Sequence, residues 1–273
     1  MPRVLHARWI LPFVVAIAGY ALWQNSRALH WRTLAPGIEF ATLRGEPYCR
    51  MGSTAIGVLR CETTRIKLRV RHWSQLDVDR PPGIVDWQYR TRALAVFNAG
   101  QFYPDWAYMG LLVAGGDTIS AKAHAGFQAL LVGDHAGHGG AQVIDLSRVH
   151  ADSLARGWRE VAQSFMLFDS SGARVRRSAH IARRTVVAED AQGHLLVLVS
   201  EGGYTLAEFA ELLMRSRLQI THALSMDGGL ESELVIEEGT FRYASFGDWR
   251  DGRDPEAPGA RAPLPAVITL EAR

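Results

Sequence analysis

The chain has 273 residues, 48% of them apolar or aromatic, with 30 Lys and Arg against 28 Asp and Glu. That length buries one or two globular cores. The formal net charge of +2 excludes the strongly basic class of nucleic-acid binders, and no nucleic-acid partner is expected.

Residues 1–23 read as a targeting segment. Arg3 and Arg8 give a basic start, and Trp9 to Trp23 is uncharged and mostly apolar. The run is short for a bilayer span of about 20 residues and suits a signal-peptide core. Gly19-Tyr20-Ala21 offers a small-x-small cleavage site without being Ala-x-Ala, so a signal peptide and a retained signal anchor both stand. Either places the rest of the chain outside the cytoplasm, in the periplasm or cell envelope. The membrane is then a partner through this segment.

Residues 24–65 read as a linker and an edge hairpin, punctuated by Pro36-Gly37 and Gly45-Glu46-Pro47. Cys49 and Cys61 are the two cysteines. An even count in an exported chain favours one disulfide. Gly52, Gly57 and the alternating Ile56 and Val58 between them suit a hairpin. Residues 66–273 are expected to form the main domain.

In that domain Ile66–His72 alternates strictly and predicts a strand with one solvated basic face. Ala93–Phe97 predicts a buried strand ending on Asn98. A strand end is where a ligand-facing amide stands, and a turn-forming Asn before Gly100 is the equal alternative. Phe102, Tyr103, Trp106 and Tyr108 suit a sugar face or a core rim. Gly110–Asp117 predicts strand then turn, and Phe127–Val132 a further strand. The loop after it holds Asp134, His135 and His138. Their spacing is a weak metal signal, and a solvated glycine loop is the preferred reading. No dinucleotide or P-loop fingerprint is present. No cofactor is implied, and a divalent metal is left open.

Trp158–Phe168 reads as helix into strand. Arg174, Arg176, Arg177, Arg183 and Arg184 either solvate their hairpin or supply an anion site. Arg183–Ala188 and His194–Ser200 predict paired strands around Gly193. Thr205-Leu-Ala-Glu208 is a capping box, followed by Leu206, Phe209, Ala210 and Leu213 at helical spacing. His222–Ile236 reads as strand, tight turn, strand around Asp227-Gly228-Gly229. Two glycines let a ligand approach Asp227 closely, although an Asp-Gly turn needs no ligand. Asp248–Pro263 reads as an exposed loop and Pro265–Leu270 as the last strand. Strands do not alternate regularly with helices, so the fold class is α+β with a mixed or antiparallel sheet and few helices.

The order strand, strand, capped helix, strand, Asp-Gly-Gly, strand resembles the C-terminal half of the phosphodiester glycosidase family. Arg184-Thr185 at a strand start, the helix led by Thr205-Leu206, and Asp227-Gly228-Gly229 match its motifs. Phe97-Asn98-Ala99-Gly100 with Gly110 matches an earlier one. The resemblance runs from about Ile66 to the C-terminus. Two departures stand out. Leu230 and Glu231 occupy the places of a small residue and Ser, with Ser232 one place late, and Asn98-Ala99-Gly100 replaces an Asn-Gly-Gly.

The resemblance implies the same fold class and a hydrolase acting on a sugar-1-phosphodiester. It implies catalytic roles for Asp227 at the anomeric carbon, Arg184 at the phosphate and Asn98 on the sugar. Gly110, Thr185, Gly228, Gly229 and Glu231 would line the substrate. Glu231 has no counterpart in the family and either acts as a second acid/base or faces water. Two other classes compete: a non-catalytic envelope protein that binds glycan or polymer on the same scaffold, and a metal-dependent hydrolase using His135 and His138.

Overall fold

The computed structural model describes residues 29–147, 157–172, 178–246 and 261–273. The targeting segment, Arg174, Arg176, Arg177 and most of the 248–263 loop lie outside them. The chain divides into the units Met1–His30 and Trp31–Arg273. All strands and helices of the described residues belong to the second. Among the described residues no helix is long and apolar enough to cross a membrane.

Two antiparallel sheets make up the unit. In the first, β1 (Arg32–Ala35), β2 (Ile38–Arg44) and β3 (Met51–Glu62) form a meander at one edge. Next come β12 (His194–Gly203), β11 (Thr185–Asp190), β13 (Ile220–Ser225) and β10 (Trp158–Phe168). Beyond β10 lie β6 (Leu112–Ala114) with β7 (Asp117–Ser120), and β8 (Ala129–His135) with β9 (Ala141–Asp145). The second sheet is built from β4 (Ile66–His72), β5 (Ala95–Asn98), β14 (Leu234–Glu238), β15 (Phe241–Ser245) and β16 (Ala266–Ala272), in the order β15-β14-β5-β16-β4. Two helices, α1 (Ile84–Thr91) and α2 (Leu206–Arg215), complete the described unit.

The core joins the two sheets. Ile38, Leu59, Val197 and Leu224 of the first share one apolar cluster with Leu68, Phe97, Ile236 and Ile268 of the second. In β12 Leu195 to Val199 are all fully buried. Such a continuous apolar run marks a strand covered on both faces. α2 follows its expected boundaries: Thr205 accepts from the Glu208 N–H, and the Glu208 carboxylate accepts from the Thr205 N–H. Leu206, Phe209, Ala210 and Leu213 form its buried face.

Several expectations need correction. No boundary falls between residues 65 and 66, because Trp31–Arg273 is one unit and β3 pairs with β12 along most of its length. Cys49 and Cys61 are not bridged; both thiols are free. β3 runs on through Gly52 and Gly57 instead of turning. Cys61 pairs opposite Leu195, whereas Cys49 lies beside Gly202. A rise of about 3.3 Å per residue puts the ends of such a strand some ~30 Å apart, far beyond disulfide reach. Trp158–Phe168 is a single strand with no helical part, since Ala162, Ser164 and Met166 fit a pleat that both neighbours occupy. The basic face of β4 is partly paired: Arg69 donates to Asp134 and Glu160 at 2.9 and 2.7 Å, and Arg71 to Glu271 at 3.3 Å.

Asp227-Gly228-Gly229 does not close a hairpin. β13 belongs to the first sheet and β14 to the second. The chain crosses between sheets here through a short 3-10 turn, Gly229–Glu231.

Candidate active site

The crossing segment is held from three sides. β5 of the second sheet ends on Asn98, β11 of the first starts at Thr185, and the 3-10 turn leads into Ser232. Asn98 is buried, and its amide is fully used within the protein. Nδ2 donates to the Asp227 carbonyl at 2.9 Å and to the Ala99 carbonyl at 3.1 Å. Oδ1 accepts from Thr185 Oγ1 at 2.7 Å and from the Glu233 N–H at 3.2 Å. That exhausts two donors and two acceptor sites. The amide therefore faces the protein, where the sequence suggested a ligand. Thr185 spends its one hydroxyl proton on Asn98, so Ser232 Oγ, 2.9 Å away, donates to Thr185. The Asp227 N–H closes the arrangement by donating to the Ala99 carbonyl at 3.1 Å.

Arg184 immediately precedes β11 and is buried. Its N–H donates to Ser200 Oγ at 2.8 Å. Its Nε and Nη2 both donate to the Tyr204 carbonyl, at 3.0 and 2.8 Å, and Nη2 also to the His180 carbonyl at 2.6 Å. The guanidinium is thus clamped along one edge. Its other terminal nitrogen, Nη1, lies 3.4 Å from where a side chain on Gly228 would begin. Burial lowers the Arg184 pKa to about 10, against the pull of Asp227. Arg183 turns the other way, to Ser245 on β15.

The glycines have separate reasons. A Cβ at Gly228 would stand 2.7 Å from the Arg183 carbonyl, so only glycine permits this approach. Gly229 has φ +85° and donates its N–H to the same carbonyl at 3.1 Å. The turn after them folds Glu231 back toward Gly229, with Oε2 3.7 Å from the place of a Cβ there.

Asp227 is the half-buried carboxylate at the centre. Burial raises its pKa to about 7, and the Glu231 carboxylate pushes in the same direction. The Gly228 N–H, Gln101 and Arg184 oppose that rise. The Gly228 N–H donates to Asp227 Oδ1 at 2.9 Å. Glu231 is half-buried and its own pKa is raised by burial. Two carboxylates and one clamped guanidinium thus share one recess.

Asn98, Arg184, Thr185, Asp227, Gly228, Gly229 and Glu231 come together, as their spacing along predicted strand ends suggested. Gly110 does not join them. It has φ +106°, and a Cβ there would meet Gln163 Oε1 at 2.7 Å. Gln163 is a buried hub: Oε1 accepts from the Leu111 and His124 N–H groups, and Nε2 donates to the His124 and Phe127 carbonyls. Tyr108 links this hub to the site, donating to the Gln163 carbonyl at 2.9 Å and accepting from the Gly100 N–H at 3.1 Å. The sequence reading missed Gln101, Gln163 and Tyr204, and gave Tyr108 only as part of an aromatic sugar face or core rim. Polar Gln163 and Ser164 inside the apolar 161–168 part of β10 were the available signal for Gln163. Gln101 Oε1 is enclosed and has no hydrogen-bond partner among the described residues.

The other candidates lie elsewhere. Asp134 is engaged by Arg69 and by the Gly139 N–H, and His135 packs against the Trp158 ring at 4.7 Å. Among the described residues no group of three or more His, Cys, Asp or Glu could hold a metal ion. A groove of about 1320 Å³ lies beside α1, lined by Asp86, Tyr89, Glu237 and Arg261 among others, and holds none of the site residues.

The sequence profile described as phosphodiester glycosidase matches residues 91–268. No curated protein sequence matches. Among solved structures, a hypothetical protein from Synechocystis superposes with a TM-score of 0.61 at 13% identity, over 90% of this chain and 64% of that one. This chain therefore spans less than two thirds of the Synechocystis protein. The zebrafish N-acetylglucosamine-1-phosphodiester alpha-N-acetylglucosaminidase catalytic domain, auto-inhibited by its pro-peptide, superposes at 0.55 with 12% identity, over 90% and 82%. A protein of Burkholderia pseudomallei described as exported reaches 0.50 at 13% identity, over 83% and 75%. At these identities the structural matches establish the fold.

Proposed function

The chain belongs to the phosphodiester glycosidase family, and on that premise we propose that it is a hydrolase that cleaves the glycosidic bond of a sugar-1-phosphodiester outside the cytoplasm. The carrying observation is that Arg184 Nη1 stands beside Gly228, next in the chain to Asp227, and that the guanidinium and the Asp227 carboxylate act on each other. The zebrafish enzyme, by its name, acts on such a phosphodiester. The chemistry of the recess suits that substrate class.

In this reading Arg184 presents Nη1 to the phosphate, which is both handle and leaving group. Asp227, as carboxylate, faces the anomeric carbon. It stabilises the positive charge that develops there and takes a proton from the attacking water. Gln101 hydrogen-bonds the Asp227 side chain and orients its carboxylate. Gly228 and Gly229 leave the sugar room beside Asp227. Asn98, Thr185 and Ser232 position the Asp227 backbone and do not touch substrate.

The test is release of free sugar from a panel of methyl-phosphate diesters of glucose, galactose, mannose and N-acetylglucosamine, in both anomers. Activity on one of them that Asp227→Asn abolishes supports the reading. A wild type that binds a panel member without cleaving it favours the glycan-binding alternative. Export is a separate proposal resting on residues 1–23: a reporter fused after Gly37 should be active only outside the cytoplasm, and a cytoplasmic signal overturns it.

A further inference from the structure

We propose that Glu231 is a second catalytic carboxylate, and that it extends the site to ordinary O-glycosides, whose leaving group is an alcohol. The inference rests on the glycosidase reading of this site and goes beyond its phosphodiester substrate. Glu231 stands on the turn that begins two residues after Asp227, and its side chain folds back over Gly229 toward that residue. It is half-buried, and among the described residues no cation pairs with it. Among the described residues, Glu231 and Arg184 are the charged groups that act on Asp227. The Glu231 carboxylate has its own backbone N–H as hydrogen-bond partner but, among the described residues, no cation to offset its partial burial, which is unfavourable for a group with only a structural role. A Ser or Thr at this place would close the turn at lower cost.

A phosphodiester has little use for such a group, because its leaving phosphate is a stable anion. An alkoxide is a poor leaving group and must be protonated as it departs. Two carboxylates flanking the scissile bond are the arrangement that does this. Asp227 and Glu231 share one proton; from Glu231 it passes to the bridging oxygen as the anomeric C–O bond breaks, which leaves Asp227 a carboxylate, and both bonding electrons stay with that oxygen. A water oxygen bonds to the anomeric carbon and its proton passes to the Asp227 carboxylate. An alcohol and a free sugar depart, and the proton returns from Asp227 to Glu231.

The experiment uses the purified full chain. Wild type, Glu231→Gln and Glu231→Ser are assayed on methyl and 4-nitrophenyl glycosides of the four sugars above, beside the methyl-phosphate diesters. The expected result is cleavage of a methyl glycoside by wild type, with a loss on the order of 100-fold in both variants. The loss on the 4-nitrophenyl glycoside of the same sugar should be at least about tenfold smaller, because nitrophenolate leaves without a proton. Equal losses on the two glycosides overturn the proposal. So does a wild type that cleaves a phosphodiester and leaves every glycoside intact, which spares the phosphodiester reading. A wild type inert on all substrates removes both.

Discussion

Asn98 donates from Nδ2 to the backbone carbonyl of Asp227 at 2.9 Å, and so the last residue of one sheet's strand fixes the central carboxylate that leaves the other sheet. The contact runs from amide to main chain, which makes Asn98 a positioning residue. Asn98→Ala would take the donor from the Asp227 carbonyl and the acceptor from the Glu233 N–H, and would leave Thr185 with Ser232 alone. Each buried orphan costs about 1–3 kcal/mol, so the variant should lose several kcal/mol in urea unfolding. Among molecules that still fold, kcat should fall more than KM rises. A neutral substitution on both counts would remove Asn98 from the site.

The raised pKa of Asp227 has a signed consequence for stability. An Asp titrates near 3.8 when exposed and near 7 here. Between those values the folded state holds a proton that the unfolded state has released. Stability is therefore fully present below about 4 and is lost as pH rises through about 7. Asp227→Asn cannot lose that proton. It should melt higher than wild type at pH 8, by up to a few kcal/mol of stability, and the gap should close by pH 4. A gap that widens toward acid would show that Asp227 is held charged.

The same variant should be catalytically poor. Asn keeps the shape and removes the charge, and a loss on the order of 100-fold or more in kcat is expected. Wild-type activity should fall as pH drops below about 7, where Asp227 takes up its proton. Full kcat in Asp227→Asn would exclude it from the mechanism.

Arg184→Lys tests the clamp. An ammonium cannot bridge the Tyr204 and His180 carbonyls and still present a third nitrogen beside Gly228. Both KM and kcat should worsen, each by about tenfold or more. Recovery of wild-type kinetics in the Lys variant would mean that charge alone suffices.

The cysteines give a quick check on the strand running between them. Cys61 is buried and its thiol is pushed well above the usual range by burial, whereas Cys49 is partly accessible. A thiol reagent should titrate one group in the native protein and two in denaturant. No free thiol in denaturant without reductant would restore the disulfide.

Much of this was legible in residues that act locally. The Thr205–Glu208 capping box and the apolar run of β12 depend on near neighbours, and both formed as read. The motifs around Asn98, Arg184-Thr185 and Asp227 marked the right strand ends. What stayed hidden depends on which sheet a strand joins. Asp-Gly-Gly has the composition of a hairpin turn, and nothing local distinguishes it from a crossing between sheets. Gly52 and Gly57 looked like turn residues because a glycine in a long strand leaves no trace of what packs on it; a side chain on Gly57 would meet Tyr243 of the other sheet. The amide of Asn98 could not be oriented, since its partners Thr185 and Glu233 lie far along the chain.

The sheet-to-sheet crossing at Asp227 leaves the candidate site without a detachable loop. Its carboxylate hangs between two layers whose apolar faces are pressed together, so layer separation and loss of the site are one event. Heat inactivation should therefore overlay the far-ultraviolet melting curve with no earlier phase. Amide protons of Asp227 and Gly229 should exchange only through global opening, at the rate of core β12 protons. For engineering, the tolerance usually found in substrate loops is absent here, and variation aimed at new substrates belongs on the Gln101–Tyr108 side of the recess.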